Sequence, residues 1–216
     1  MSVPPPPKTS LVIDGPAGSL EALLEDPGAD GRHFAVVCHP HPLHGGTMHN
    51  KVVFRAAAGL VDAGLTTLRF NFRGVGASTG VHNEIEGGVE DVNEALNYLK
   101  ADFPYEDITL AGFSFGSRTG MEVGVADDDV RRLISIGTPV EKYNDYDFLA
   151  DVKKPILFVH GDEDEFCSVA GLRSLTDRIP QADVVIFENC GHFFDDDLEK
   201  LRATIRDWTG KQLSNK

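Results

Sequence analysis

Short, mainly apolar runs alternate along this chain with longer segments of helical periodicity, and that alternation restricts the folds open to it. The runs fall at residues 34–38, 67–72, 108–111, 133–136, 156–160 and 184–187 and are rich in Val, Ile, Leu and Phe. Runs so short and so rich in apolar residues mark strands buried on both faces, as in parallel sheets whose crossover helices cover each side. Between the runs, Val89, Val92, Leu96, Leu99 and Phe103 recur at helical spacing, and so do Leu198, Leu201, Ile205 and Trp208. Each of these segments can lay one apolar face on the sheet. Further helices are expected over residues 50–63, 117–126 and 169–179. The pattern specifies an α/β fold: a mostly parallel, twisted sheet with helices on both faces.

The start of the chain departs from this rhythm. Leu11-Val12-Ile13 and residues 19–24 flank Asp14-Gly15-Pro16-Ala17-Gly18, whose turn-forming residues predict a hairpin, placed as an antiparallel edge. A Pro-rich leader, residues 1–8, precedes a single domain over residues 9–216, a length that lets one core bury roughly 70% of the unfolded surface. The interval between the runs ending at 136 and starting at 156 is too short for a lid domain. A net charge of −14 repels polyphosphate and anionic lipid, which argues against a nucleic-acid partner. No run approaches the roughly 18 to 20 apolar residues that span a bilayer, and the first residues lack the basic start and apolar stretch of a signal peptide. The expectation is a cytoplasmic protein with no membrane partner. Cys38, Cys167 and Cys190 show no CxxC spacing and read as small buried apolar groups in a reducing compartment.

The pattern Gly-x-Ser-x-Gly occurs twice, as Gly76-Ala77-Ser78-Thr79-Gly80 and as Gly112-Phe113-Ser114-Phe115-Gly116. A nucleophilic serine of this type needs a sharp turn directly between a strand and a helix, so that a strained backbone lifts its hydroxyl above the sheet. Ser114 has that context: an apolar strand runs into Gly112, and small residues suited to close packing come after it. Ser78 lies beyond Phe72 with no helix until about Glu86, and it reads as a loop serine. The hydroxyl needs a base, and the base needs an orienting carboxylate, in the chain order serine, acid, histidine. Only His160 and His192 lie beyond Ser114. His160 ends an apolar strand and reads as a strand-end packing residue, whereas His192 lies in the loop after the last strand and is the better base. Asp162, Glu163, Asp164 and Glu165 come directly after a strand, and composition does not choose among them.

Acyl transfer also needs backbone donors at the developing oxyanion. The amide after the nucleophile, Phe115, is one. The second is expected from the loop after the strand at 34–38, His39-Pro40-His41-Pro42-Leu43-His44-Gly45-Gly46; prolines carry no amide hydrogen, so His41 is the best-placed donor. His39, His41, His44 and His49 cluster here, but the chain has no HExxH motif and the prolines restrict convergence of the rings on one ion, so no metal is expected.

Taken together, Gly112-Phe113-Ser114-Phe115-Gly116, His160-Gly161-Asp162-Glu163-Asp164 and Cys190-Gly191-His192 resemble the three signatures of the α/β-hydrolase superfamily. The resemblance implies that Asp164, three residues after the glycine of the second signature, is the orienting acid, with Asp162 the alternative. The run from His39 to Val53 is similar to the matching loop of a bacterial subgroup of small, lidless hydrolases related to dienelactone hydrolases, which implies that its histidines shape the pocket mouth. Arg69-Phe70-Asn71-Phe72-Arg73-Gly74-Val75-Gly76-Ala77-Ser78 resembles the strand and loop that brace the site in this superfamily. The expected activity is that of a serine hydrolase, carboxylesterase-like, cleaving small acyl esters through Ser114, His192 and Asp164 with no cofactor. Dienelactone hydrolases carry cysteine at the elbow, so Ser114 favours simple esters or thioesters. Thioester, acyl-transfer or peptide chemistry on the same residues, and an inactive binding protein, stand as alternatives. Phe113, Phe193 and Phe194 are expected to contact substrate, with Tyr143 and Tyr146 as further apolar walls.

Overall fold

The computed structural model describes residues 6–15, 17–28 and 32–214. Most of the leader, residues 1–5, and Pro16 of the hairpin turn lie outside the described residues. The strands are β1 (Lys8–Gly15), β2 (Gly18–Glu25), β3 (His33–Cys38), β4 (Thr66–Phe70), β5 (Asp107–Phe113), β6 (Val130–Ile136), β7 (Ile156–Gly161) and β8 (Ala182–Phe187). They form one sheet in the order β1-β2-β4-β3-β5-β6-β7-β8. The hairpin pairs antiparallel within itself and with β4, and every pairing from β4 to β8 is parallel. The expected antiparallel edge is present, and its first strand takes up Lys8 from the leader. Pro7 is drawn in as well, its carbonyl accepting from the Asp26 amide at 3.2 Å.

The helices are α1 (Lys51–Asp62), α2 (Glu84–Asp102), α3 (Phe115–Ala126), α4 (Val140–Tyr143), α5 (Val169–Thr176) and α6 (Leu198–Ser214). Successive strand residues point to opposite faces. Phe34, Val36 and Cys38 of β3 pack with Leu96 and Leu99 of α2, Met121 of α3 and Leu172 of α5. Ala35 and Val37 pack on the other face with Val53 and Leu60 of α1 and Leu201 and Ile205 of α6. Each fully buried Leu, Ile or Val contributes about 1.5–3 kcal/mol relative to exposure. All three cysteines are buried and unpaired, and burial pushes their thiols up from the ordinary value.

Two elements end two or more residues earlier than the sequence expectation for local reasons. β4 stops at Phe70 and not at residue 72, because the Phe72 amide turns to the His39 Nε2 at 3.0 Å. α5 stops at Thr176 and not at 179, where the amides of Arg178 and Ile179 tighten into bonds to Leu175 and Thr176 carbonyls. Among the described residues, no helix is long and apolar enough to cross a membrane. Residues 137–155 hold only α4 and a single turn at Asp147–Leu149, with no lid.

Candidate active site

Ser114 is the junction between β5 and α3, with φ 54° and ψ −118°. A non-glycine residue held there costs about 1–3 kcal/mol. The turn is that tight because its flanking glycines leave no space: a Cβ on Gly116 would sit 2.5 Å from the His39 carbonyl, and one on Gly112 would strike the Gly116 carbonyl. The Ser114 amide donates to Ile136 O at 2.9 Å, while its carbonyl accepts from the Ser117 amide and the Ser117 hydroxyl. Backbone and side chain therefore part company. The backbone is tied into β6 and α3, and the residue lines a cavity of about 220 Å³ with His41, His44, Asn50, Pro139, Lys142, Phe166, His192 and Phe193.

His192 reaches that cavity from the loop after β8. Its Nδ1 lies 2.7 Å from Asp164 Oδ2, and both side chains are almost wholly buried. Asp164 Oδ1 accepts from the amides of Phe166 at 2.8 Å and Cys167 at 3.3 Å. Burial pushes the Asp164 carboxyl up, but the hydrogen bond and charge of His192 and the Phe166 amide outweigh it and hold the group below the ordinary carboxylate value. An ionised Asp164 keeps the ring proton on Nδ1 and leaves Nε2 as the basic nitrogen. The imidazole is packed between Phe113, at 4.8 Å between ring centroids, and Phe166, at 4.6 Å. Asp162, the alternative acid, instead accepts the Cys190 amide at 3.2 Å and shapes the histidine loop. His160 is wholly buried and bonds the Cys167 carbonyl through Nε2 at 2.7 Å, holding the strand-end turn.

The loop after β3 supplies His41. The His41 carbonyl accepts from the amides of His44 and Gly46, both at 3.1 Å, which curls the loop into a tight turn. Among the described residues, neither the His41 nor the Phe115 amide is bonded to a protein acceptor. Two free amides beside a strained serine are what a developing oxyanion needs. A Cβ on Gly46 would run into the Pro40 carbonyl. Gly46→Ala should therefore displace this loop, lowering catalytic efficiency by about 10²-fold, the cost typical of a 1 Å misplacement, and lowering the unfolding temperature with it; paired kinetic and melting measurements check it.

His39 anchors the same loop from beneath. It is buried, with Nδ1 2.6 Å from Pro40 O and Nε2 accepting the Phe72 amide. Burial lowers its pKa from 6.5 to about 4. Between those values the unfolded chain binds a proton that the folded chain does not, so stability rises with pH through that window. It should be full above about pH 6.5, lower by about 3 kcal/mol near pH 4, and flat for this residue below. Urea unfolding from pH 4 to 7 should lose this component in His39→Gln.

The remaining expectations divide. Ser78 is buried in the loop after β4; its hydroxyl donates to Asn71 O at 2.7 Å and accepts the Glu21 amide at 2.9 Å, so it braces the hairpin against that loop. Phe193 lines the cavity, whereas Phe113 is wholly buried behind His192. Phe194 is a correction: it is fully buried and packs on Phe187 in the core beneath α6, because a left-handed turn at φ 53° directs it away from Phe193. Tyr146 is likewise a correction, lining a separate cavity with Leu175 and Ile179; Tyr143 packs near Phe115. His49 is exposed and His39 is committed to the loop, so the four clustered histidines do not converge. Asn50, Pro139, Lys142 and Phe166 line the cavity without having stood out in the sequence. Phe166, two residues beyond Asp164, carries the only local signal.

The chain has relatives among known proteins. Residues 43–147 match the family model described as the alpha/beta hydrolase fold. An uncharacterized protein of Rickettsia prowazekii is 34% identical over 92% of this chain and 87% of its own length. A solved α/β serine hydrolase homologue from Coxiella burnetii is 37% identical, with a TM-score of 0.87 over 92% of this chain and 96% of that one. A serine hydrolase without a lid from Xanthomonas campestris is 32% identical, with a TM-score of 0.85 over 99% of this chain and 98% of that one. The chain belongs to the α/β-hydrolase superfamily. Within it, the chain is similar to α/β serine hydrolase homologues, one of them without a lid.

Proposed function

We propose that this protein is a serine hydrolase that cleaves small acyl esters. The observation that carries the reading is the combination of a strained Ser114 and an Asp164-held His192 on one cavity. His192 Nε2 takes the Ser114 proton as Oγ attacks the ester carbonyl, and Asp164 stabilises the resulting imidazolium. The amides of His41 and Phe115 receive the oxyanion. The imidazolium returns its proton to the departing alcohol, leaving an acyl-enzyme. Water, activated by the same nitrogen, then releases the acid and restores Ser114.

A cavity of about 220 Å³, walled on its apolar side by Pro139, Phe166 and Phe193, suits short acyl groups. The reading is tested by labelling the folded protein with a fluorophosphonate and mapping the adduct, alongside a panel of esters, thioesters and peptides. Modification of Ser114 with fastest turnover of short esters is the expected result. An unlabelled Ser114 in folded protein would overturn the reading, and faster thioester or peptide turnover would overturn the ester assignment.

A further inference from the structure

Beside the cavity, three side chains with metal-ligating atoms converge from segments far apart in sequence. His41 belongs to the loop after β3, while His82 and Glu84 lie just before and at the start of α2. One ligand atom from each lies within 4.8 Å of the other two. His41 Nε2 is 3.5 Å from Glu84 Oε2, and His82 Nε2 is 3.9 Å from the same oxygen. The two imidazoles meet edge to face at 5.0 Å between centroids. The informative atom is His82 Nε2. Its side chain is only 6% exposed, and among the described residues this nitrogen has no hydrogen-bond partner. A buried polar atom in that state is unfavourable unless something else satisfies it, and this one faces two other donors.

We propose that His41, His82 and Glu84 form a Zn²⁺ site at the back of the loop that presents the His41 amide. Two imidazole nitrogens and one carboxylate oxygen are a donor set Zn²⁺ takes where a fourth position is left to water. With ligand bonds of about 2.0–2.1 Å, neighbouring corners of a tetrahedron lie about 3.3 Å apart. The separations of 3.5 and 3.9 Å therefore need to contract by well under an ångström, and the edge between the two imidazoles, within 4.8 Å, by at most about 1.5 Å. Glu84 is exposed, so an ion has a path in and a ligand free to close on it.

His41 must change its hydrogen bonding to ligate. Its Nδ1 accepts the Leu43 amide at 3.2 Å, so the neutral ring keeps its proton on Nε2. Ion binding moves that proton to Nδ1 and gives up this long contact. The bound ion would tie the start of α2 to the loop after β3. The site rests on these three residues and is independent of whether Ser114 is a nucleophile.

The test uses the full chain, stripped with a chelator and titrated with Zn²⁺ by calorimetry and with Co²⁺ by visible absorption. The expected result is one equivalent of Zn²⁺ bound at least about tenfold more tightly than by His82→Ala or Glu84→Gln. Co²⁺ should give the absorption of a four-coordinate site in the wild type alone. Glu84→Gln alters an exposed side chain and carries the test if His82→Ala fails to fold. Equal affinity in the wild type and Glu84→Gln, or no stoichiometric binding, would overturn the proposal.

Discussion

Ser114→Ala should lower ester hydrolysis by at least about 10³-fold while leaving the protein folded, and Ser78→Ala should do the reverse. Both serines sit in the same five-residue pattern, so the comparison isolates structural context. Ser114 has its backbone fixed by Ile136 and Ser117 and lines the cavity. Ser78 has its hydroxyl spent between Asn71 O and the Glu21 amide. Removing that hydroxyl leaves a buried acceptor and a buried donor unpaired, at a cost of about 1–3 kcal/mol. The measurement is kcat/KM on a short nitrophenyl ester together with denaturant unfolding for each variant. Comparable activity losses in the two would show that the turn between β5 and α3 does not select the nucleophile.

Asp164→Asn should lower kcat by about 10⁴-fold with the surrounding backbone unchanged. The amide side chain can still accept from Phe166 and Cys167, but it no longer holds a proton on His192 Nδ1 by charge, and the ring is free to present the wrong tautomer. Because nucleophile, base and acid act as a unit, combining Asp164→Asn with Ser114→Ala should cost no more than Ser114→Ala alone. Asp162→Asn should cost far less, since the Asp162 side chain bonds only to the Cys190 amide among the described residues. Single-turnover kinetics on the four variants check the ordering. A larger loss from Asp162→Asn than from Asp164→Asn would transfer the acid's role.

What is legible in the sequence is what regular structure repeats. A strand buried on both faces admits few polar residues, so the runs that form β3 to β7 stand out before any contact is known, and partly buried β8 at the sheet edge is as apolar. The junction at Ser114 is legible because strand, glycine and small-residue helix succeed one another without a gap. Residues in irregular segments carry no such periodicity. Phe193 and Phe194 are adjacent and chemically identical, yet one lines the cavity and the other is core, a division set by a backbone turn at φ 53°. Distance along the chain hides the rest. Glu21 accepts from both Asn71 and Ala77, and His41 meets His82 and Glu84, through pairings that exist only once the hairpin and α2 are packed on the sheet. The choice of Asp164 over Asp162 also lies outside local pattern and rests on resemblance.

The residues around the cavity come from loops at strand ends and from the short α4, with no inserted cap above them among the described residues. An acyl group on Ser114 would thus stand in contact with bulk solvent from the moment the alcohol departs. Competing acceptors would have no sheltered binding surface from which to outrun solvent, so free acid should dominate the products even when alcohol is abundant. Turnover would likewise need no domain to swing open, and its ceiling would be set by bond making and breaking more than by gating.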